Sequence, residues 1–247
     1  IIDITKLKFI FKSCKMSSMQ LGTIKVNLSV LGGGAFGTVY RGFDQDTKEL
    51  VAVKKLNYLG PKYATMSRDE IKNAQKVPRN HENIVRIRNV THQDHCAWII
   101  MDFCELGDLN AYFYANFANI TNDCKGSFMI QIMNGITFLH ENDIVHRDMK
   151  PGNILLKPPL DGSSHPCIKI SDFGLSKFLS NDKTTLMSTA LGTLAFQAPE
   201  FWDTVGGGKV AYRKNVDVFA AGLIFLAMLQ VLINHSSFFV LVSRHCD

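Results

Sequence analysis

Apolar positions in the first hundred residues fall into short runs with extended character, and later ones into longer, helically spaced stripes. Val26 to Val30 alternates apolar and polar residues with the period of two expected of a half-buried strand. Leu31 leads from it into a glycine-rich turn, and Val39-Tyr40-Arg41-Gly42 resumes the extended run beyond. Val51-Ala52-Val53-Lys54 is another short β-prone run, and residues 97–101 form an apolar strand. Between these two, residues 67–77 predict a helix that carries Ile71, Ala74 and Val77 on one face. Ser67 reads as its N-cap, Glu70 as the partner in a capping box, and Pro78 as its stop. Gly107-Asp108-Leu109 opens a second helix with Asp108 at the N-cap. Phe128, Ile132, Ile136 and Leu139 make the stripe of a core helix. Two apolar triplets, 154–156 and 168–170, flank a turn-rich insert (157–166) and read as paired strands. The last long apolar run, 218–233, is short for a membrane span and includes Gln230, so it predicts a buried core helix and no membrane partner.

Composition narrows the class. A chain of 247 residues, 46% hydrophobic and 20% charged, has the make-up of a folded globular protein long enough for two lobes around one cleft. The net charge of +5 suits an anionic ligand such as a nucleotide. There is no long basic run and no basic–aromatic alternation, which removes the case for a DNA or RNA reader. Six cysteines are scattered without a C-x-x-C pair, a usage that points to reduced thiols in a cytoplasmic or nuclear compartment. His92, His95 and Cys96, with Cys104 nearby, come closest to a metal cluster. They lack a properly spaced partner pair and read as a solvated turn. The first residues mix apolar positions with Lys6, Lys8 and Lys12 and do not form a convincing signal peptide.

The chemistry concentrates in His146-Arg147-Asp148-Met149-Lys150-Pro151-Gly152-Asn153 and, after the strand pair, in Asp172-Phe173-Gly174. Asp148 could accept the proton of an attacking hydroxyl. Asn153 and Asp172 offer oxygen ligands to Mg²⁺, a hard cation that takes few protein groups and several phosphate oxygens. Lys150 would neutralise charge on a transferring phosphate. Upstream, Gly32-Gly33-Gly34-Ala35-Phe36-Gly37-Thr38-Val39 places glycines where backbone N–H groups can approach phosphates. No Gly-Lys-Ser/Thr follows, so this is not a P-loop. By itself the glycine pattern is equally a turn, and Lys54 is equally an exposed lysine on an edge strand.

Together and in this order, these motifs resemble the eukaryotic protein kinases, serine/threonine type, over roughly residues 26–230. The resemblance implies an α+β, two-lobe fold, with a small antiparallel-sheet lobe at 24–103 and a mostly helical lobe at 104–247, after an extension at 1–23. It implies ATP and Mg²⁺ as cofactors and a protein substrate. Lys54 would grip the α- and β-phosphates, oriented by Glu70, with Asp69 as the other acidic choice. ATP would lie against Leu31, Gly32, Gly33, Gly34, Ala35, Phe36, Gly37 and Val39, then Ala52, Lys54, Met101 at the gatekeeper position, Asp102, Cys104 and Leu155. Asp108 would cap its helix or touch the ribose. Asp148 and Lys150 would carry the transfer, with Asn153 and Asp172 on the metal. Lys150 two residues after Asp148 and the Gly192-Thr193…Ala198-Pro199-Glu200 ending are the Ser/Thr pattern. The rival class is a pseudokinase-like nucleotide-binding or scaffolding module, against which Lys54, Asp148, Asn153 and Asp172 all stand. A small-molecule kinase is disfavoured by the intact Ala198-Pro199-Glu200 segment.

Two further expectations concern control and extent. In the family, several helices follow the buried one that begins near Asp217, and only 14 residues follow Ile233 here, so the resemblance implies a partial large lobe with lower activity than its motifs suggest. The polar stretch after Gly174 matches the family's activation segment, with Thr184, Thr185, Ser188 and Thr189 as phosphorylation sites for an upstream kinase and Arg147 as the phosphate's partner. Phosphorylation at 184–189, foremost at Ser188 or Thr189, is expected to raise activity. Mass spectrometry of the active form that finds no phosphate anywhere at 180–193 would count against this.

Overall fold

The computed structural model describes residues 18–34, 37–56, 61–94, 96–159, 162–178, 185–187, 194–199, 210–212 and 214–230. The early extended runs pair into one six-stranded antiparallel sheet in the order β1-β2-β3-β4-β6-β5. Its strands are β1 (Ser18–Leu21), β2 (Ile24–Gly34), β3 (Gly37–Asp44), β4 (Leu50–Leu56), β5 (Ile87–Gln93) and β6 (Cys96–Asp102). The two-residue period sorts their side chains. Val51, Val53, Trp98 and Ile100 join Leu21, Ile24 and Val26 in a small core on one face. Leu56, Ala97 and Ile99 face the other way, into the main core. Ala52 and Lys54 share that second face, and the register sets Ala52 opposite Met101 and Lys54 opposite Ile99. One period decides what is core and what is cleft.

Helix α1 (Pro61–Lys76) packs Ala74 and Val77 under this sheet. It corrects the reading of residues 67–77 as the whole helix. The chain is already helical from Pro61, so Ser67 lies inside the helix and not at its N-cap, and Glu70 is not half of a capping box. Pro at the first helical position is a natural start, since its missing N–H would have no partner there.

Helices α2 (Leu109–Asn116), α3 (Asn122–Glu141) and α4 (Asn215–Gln230) build the second lobe. Asp108 caps α2 by accepting the Ala111 N–H at 3.0 Å. The stripe Phe128, Ile132, Ile136 and Leu139 is buried as the spacing predicts. The expected strand pair is present: β8 (Ile154–Lys157) runs antiparallel to β9 (Cys167–Ile170). Four short strands complete the described pairings, β7 (Ile144–Val145) with β10 (Lys177–Phe178), and β11 (Thr185–Met187) with β12 (Val210–Tyr212). Asn83 and Val85 tie the exit of α1 to the second lobe, since Val85 donates to the Ile170 carbonyl and Ile170 donates to that of Asn83, both at 2.8 Å.

α4 buries Val216, Ala220, Ala221, Ile224, Ala227 and Met228, and exposes Val218, Phe219, Leu226 and Leu229. Among the described residues, no helix is long and apolar enough to cross a membrane.

α3 crosses the hairpin at a glycine. A Cβ on Gly135 would stand 2.7 Å from Ile170 Cδ1 and 3.1 Å from the Asn83 carbonyl oxygen. Gly135→Val is therefore expected to cost about 1–3 kcal/mol by overpacking. That corresponds to a melting temperature lower by several degrees, at about 2–4 °C per kcal/mol for a chain of this size. Calorimetry showing an unchanged melting point would contradict this packing.

Candidate active site

The segment after β7 is shaped by a carboxylate from far along the chain. Asp217, in the first turn of α4, accepts the backbone N–H groups of His146 (Oδ2) and Arg147 (Oδ1), each at 2.8 Å, and the His140 Nε2 at 2.9 Å. Arg147 has φ 67°, a left-handed conformation that costs a non-glycine residue about 1–2 kcal/mol. The charged bonds to Asp217 offset that cost. The His146 ring bridges onward: Nδ1 accepts the Asp148 N–H at 3.3 Å, and Nε2 lies 2.9 Å from the Ser171 carbonyl, which fixes Nε2 as the protonated nitrogen. Ser171 in turn donates to the Asn153 carbonyl through its N–H and its hydroxyl, at 2.9 and 3.0 Å. The loop and the residue before Asp172 are thereby one hydrogen-bonded unit.

Within it, Asp148, Lys150 and Asn153 converge. Lys150 Nζ lies 2.8 Å from Asp148 Oδ2. Asn153, in the single 3₁₀ turn Pro151–Asn153, donates its side-chain N–H to the Asp148 backbone carbonyl at 2.8 Å and to its Oδ2 at 3.0 Å. That use of the amide nitrogen leaves the Asn153 carbonyl oxygen to offer a cation.

The second cluster joins the lobes. Lys54 Nζ on β4 lies 2.6 Å from Glu70 Oε1 on α1 and 2.9 Å from Asp172 Oδ1. Glu70 and Lys54 are buried, whereas the Asp172 side chain keeps 31% of its surface open. Asp172 is itself left-handed, with φ 64°. Burial alone would lower the Lys54 pKa, yet Asp172 and Glu70 together hold it above its ordinary value. Burial pushes the Glu70 carboxyl up, and Lys54 pulls against it. Burial acts upward on Asp172 too, but the Lys54 charge outweighs it and holds this carboxyl low. An ionised, part-open carboxylate beside an amide oxygen fits a hard cation that completes its shell with waters and phosphate oxygens. Among the described residues no group of three or more His, Cys, Asp or Glu could hold a metal, so the set does not fit a tetrahedral zinc site.

The description "protein kinase domain" matches residues 26–236 of the chain. The chain belongs to the protein kinase family. It is 35% identical to the serine/threonine-protein kinase atg1 of Dictyostelium discoideum, over 81% of this chain and 29% of that protein. It is 32% identical to the ovarian-specific serine/threonine-protein kinase Lok of Drosophila melanogaster, over 81% of this chain and 42% of that protein. It is also 33% identical to myosin light chain kinase A of Dictyostelium discoideum, over 81% and 64%. The chain thus spans less than two thirds of each of these relatives' length.

Most of the remaining residues named from sequence lie on the small-lobe strands and at the start of the second lobe. Gly32, Gly33 and Gly34 on β2 pair with Val39, Thr38 and Gly37 on β3, a hairpin whose tip, Ala35 and Phe36, lies outside the described residues. Gly37 has a second reason to be glycine, because a Cβ there would run into the Lys55 carbonyl of β4. Leu31 is exposed, Val39 half-buried, and Ala52 buried opposite Met101. Leu155 bridges to Asp108 beneath them. Cys104 is buried and its thiol is pushed up to about 12, chiefly by burial, so it remains protonated. The Asp102 side chain takes Arg88 at 2.6 Å, which also binds Glu49 at 2.6 Å. Arg147 donates from Nε to the Leu175 carbonyl at 2.6 Å, supporting the start of the segment it was expected to read. Thr185 lies on β11, its side chain outside the described residues, as are Thr184, Ser188 and Thr189. The Asp69 side chain also lies outside them. Sequence reasoning missed the bonds of Asp217. Its acidic character in an apolar helix start was the one available signal.

Removing Lys54 reverses the balance at Glu70, which loses the charge that lowers its pKa and keeps the burial and the Asp172 charge that raise it. In Lys54→Met, a Glu70 pKa raised above its unfolded value means the native state binds the extra proton, so stability should increase as pH falls through that value. At neutral pH the variant should lose about 3–5 kcal/mol, as for a broken buried pair. Melting curves from pH 8 to 5 check this. A variant whose melting point shows no recovery on acidification, relative to the parent chain, would contradict it.

Proposed function

We propose that the chain transfers the γ-phosphoryl group of ATP to a serine or threonine hydroxyl of a protein. The observation that carries this reading is Lys54 within 2.9 Å of both Glu70 and Asp172 while Asp148 Oδ2 takes Lys150 at 2.8 Å and Asn153 at 3.0 Å. In this reading Asp148 orients the hydroxyl and takes its proton as the oxygen bonds to the γ-phosphorus and the bond to the β-phosphate oxygen breaks, releasing ADP. Lys150 balances charge on the transferring group, and Lys54 holds the α- and β-phosphates. Asp172 and Asn153 would hold Mg²⁺, which when bound neutralises phosphate charge. Ala52, Met101, Leu31, Val39 and Leu155 would enclose the adenine. Ser/Thr specificity is supported by Lys150 and by relatives named as serine/threonine kinases. A cytoplasmic or nuclear location is supported by the scattered cysteines, of which Cys96, Cys104, Cys124 and Cys167 are free thiols.

Radiolabelled ATP with generic protein substrates tests the proposal. Asp148→Asn should lower turnover by a factor on the order of 10² or more, and Asp172→Asn should remove most Mg²⁺-dependent transfer. Normal turnover in both purified variants would sink the assignment.

A further inference from the structure

α1 carries a polar side chain where its apolar face should continue. Asn73 is 7% exposed and stands one turn after Glu70, between the buried Ala74 and the lobe junction. Its single amide nitrogen donates twice across that junction, to the Phe173 carbonyl at 3.0 Å and to the Ser176 carbonyl at 2.7 Å. Only an NH₂ group can serve two carbonyls in this way, which also settles the orientation of the amide. The two acceptors are the first residue of the single 3₁₀ turn Phe173–Leu175 that follows Asp172 and the residue just after it. The same turn is gripped from the other lobe by Arg147 Nε on the Leu175 carbonyl. α1 lies directly on it, since a Cβ on Gly174 would stand 3.2 Å from Glu70 Oε2.

We propose that Asn73 is a positioning residue that clamps the turn after Asp172 to α1, so that the metal-ligand carboxylate and the Lys54–Glu70 pair are assembled or lost together. Glu70 and Asn73 sit on one face of one helix. The first fixes the side chain of Lys54, and the second fixes the backbone that aims Asp172. A movement of α1 that releases either bond set releases the other. The chain thereby couples helix placement to Mg²⁺ binding through hydrogen bonds to main-chain carbonyls, independently of what the side chain of Phe173 packs against. The metal part of the proposal rests on the functional reading above, and the clamp itself does not.

The test compares the whole chain with Asn73→Asp, which has the same shape but turns an acceptor on two carbonyls, and Asn73→Leu, which has similar volume and no donor. Hydrogen exchange by mass spectrometry reads the clamp directly. Exchange in 173–178 should rise about tenfold in both variants while the β8–β9 hairpin is unchanged. Calorimetric titration with ATP at increasing Mg²⁺ reads the metal site. The Mg²⁺ concentration that half-saturates the gain in ATP affinity should rise about tenfold, with metal-free ATP affinity held within about twofold. Unchanged exchange at 173–178 overturns the clamp. Faster exchange spread evenly over the chain, with an unchanged Mg²⁺ midpoint, also overturns it by reducing Asn73 to a stabilising donor. If the parent chain binds no ATP, the functional reading fails, and the exchange comparison still decides the clamp.

Discussion

A buried ammonium must be surrounded by anions, and those that Lys54 finds come from two separate parts of the chain. Glu70 arrives on the small-lobe helix and Asp172 on the segment after the β8–β9 hairpin, more than a hundred residues later. Neither carboxylate would be stable where it is without the lysine, because burial pushes both upward. The lysine in turn would shed its proton in so dry a place without them. The cleft between the lobes is therefore defined by a mutual charge requirement as much as by packing. The main core runs through both lobes, from Leu56 and Ala74 to Ile224 and Met228, and gives that requirement a rigid frame.

The loop opposite is governed by one buried carboxylate. Asp217 accepts two consecutive backbone N–H groups and so holds Arg147 in a left-handed conformation that the residue would not adopt alone. From that constraint follow the aim of Asp148, its bond to the His146 ring and the reach of Arg147 to the Leu175 carbonyl. The hydrogen bonds from Ser171 to Asn153 then join the loop to the segment that carries Asp172. Placement propagates through main-chain bonds, which have few alternatives, and not through long side chains, which have many.

The glycines show how one residue type serves two constraints. Gly37 was legible as part of a phosphate-facing loop, yet its nearest neighbour is the Lys55 carbonyl on the adjacent strand. Gly135 was not singled out at all, although α3 can approach Asn83 and Ile170 only because no Cβ intervenes. Close approach is a property of two surfaces, and a single run of sequence describes only one of them.

Period-two alternation at 26–30 and short β-prone runs at 51–54 and 97–101 marked the strands β2, β4 and β6, and the pairing register decided which of their residues face the cleft. Spacings of three and four determined the buried stripe of α3. The order of motifs brought Asp148, Lys150, Asn153 and Asp172 into view because loops of fixed length keep such residues close whatever surrounds them. Local pattern failed at α1. Ser67 and Glu70 have the spacing of a capping box, but the helix extends to Pro61 because its stability comes from packing Ala74 and Val77 under the sheet and from Lys54, none of which a local cap describes. Only the tertiary structure decided that Glu70 meets Lys54, that Asn73 meets the carbonyls of Phe173 and Ser176, and that Asp217 holds the loop of Arg147. These bonds span 16 to 103 positions of sequence, and their energy comes from burial, which exists only once the lobes have closed.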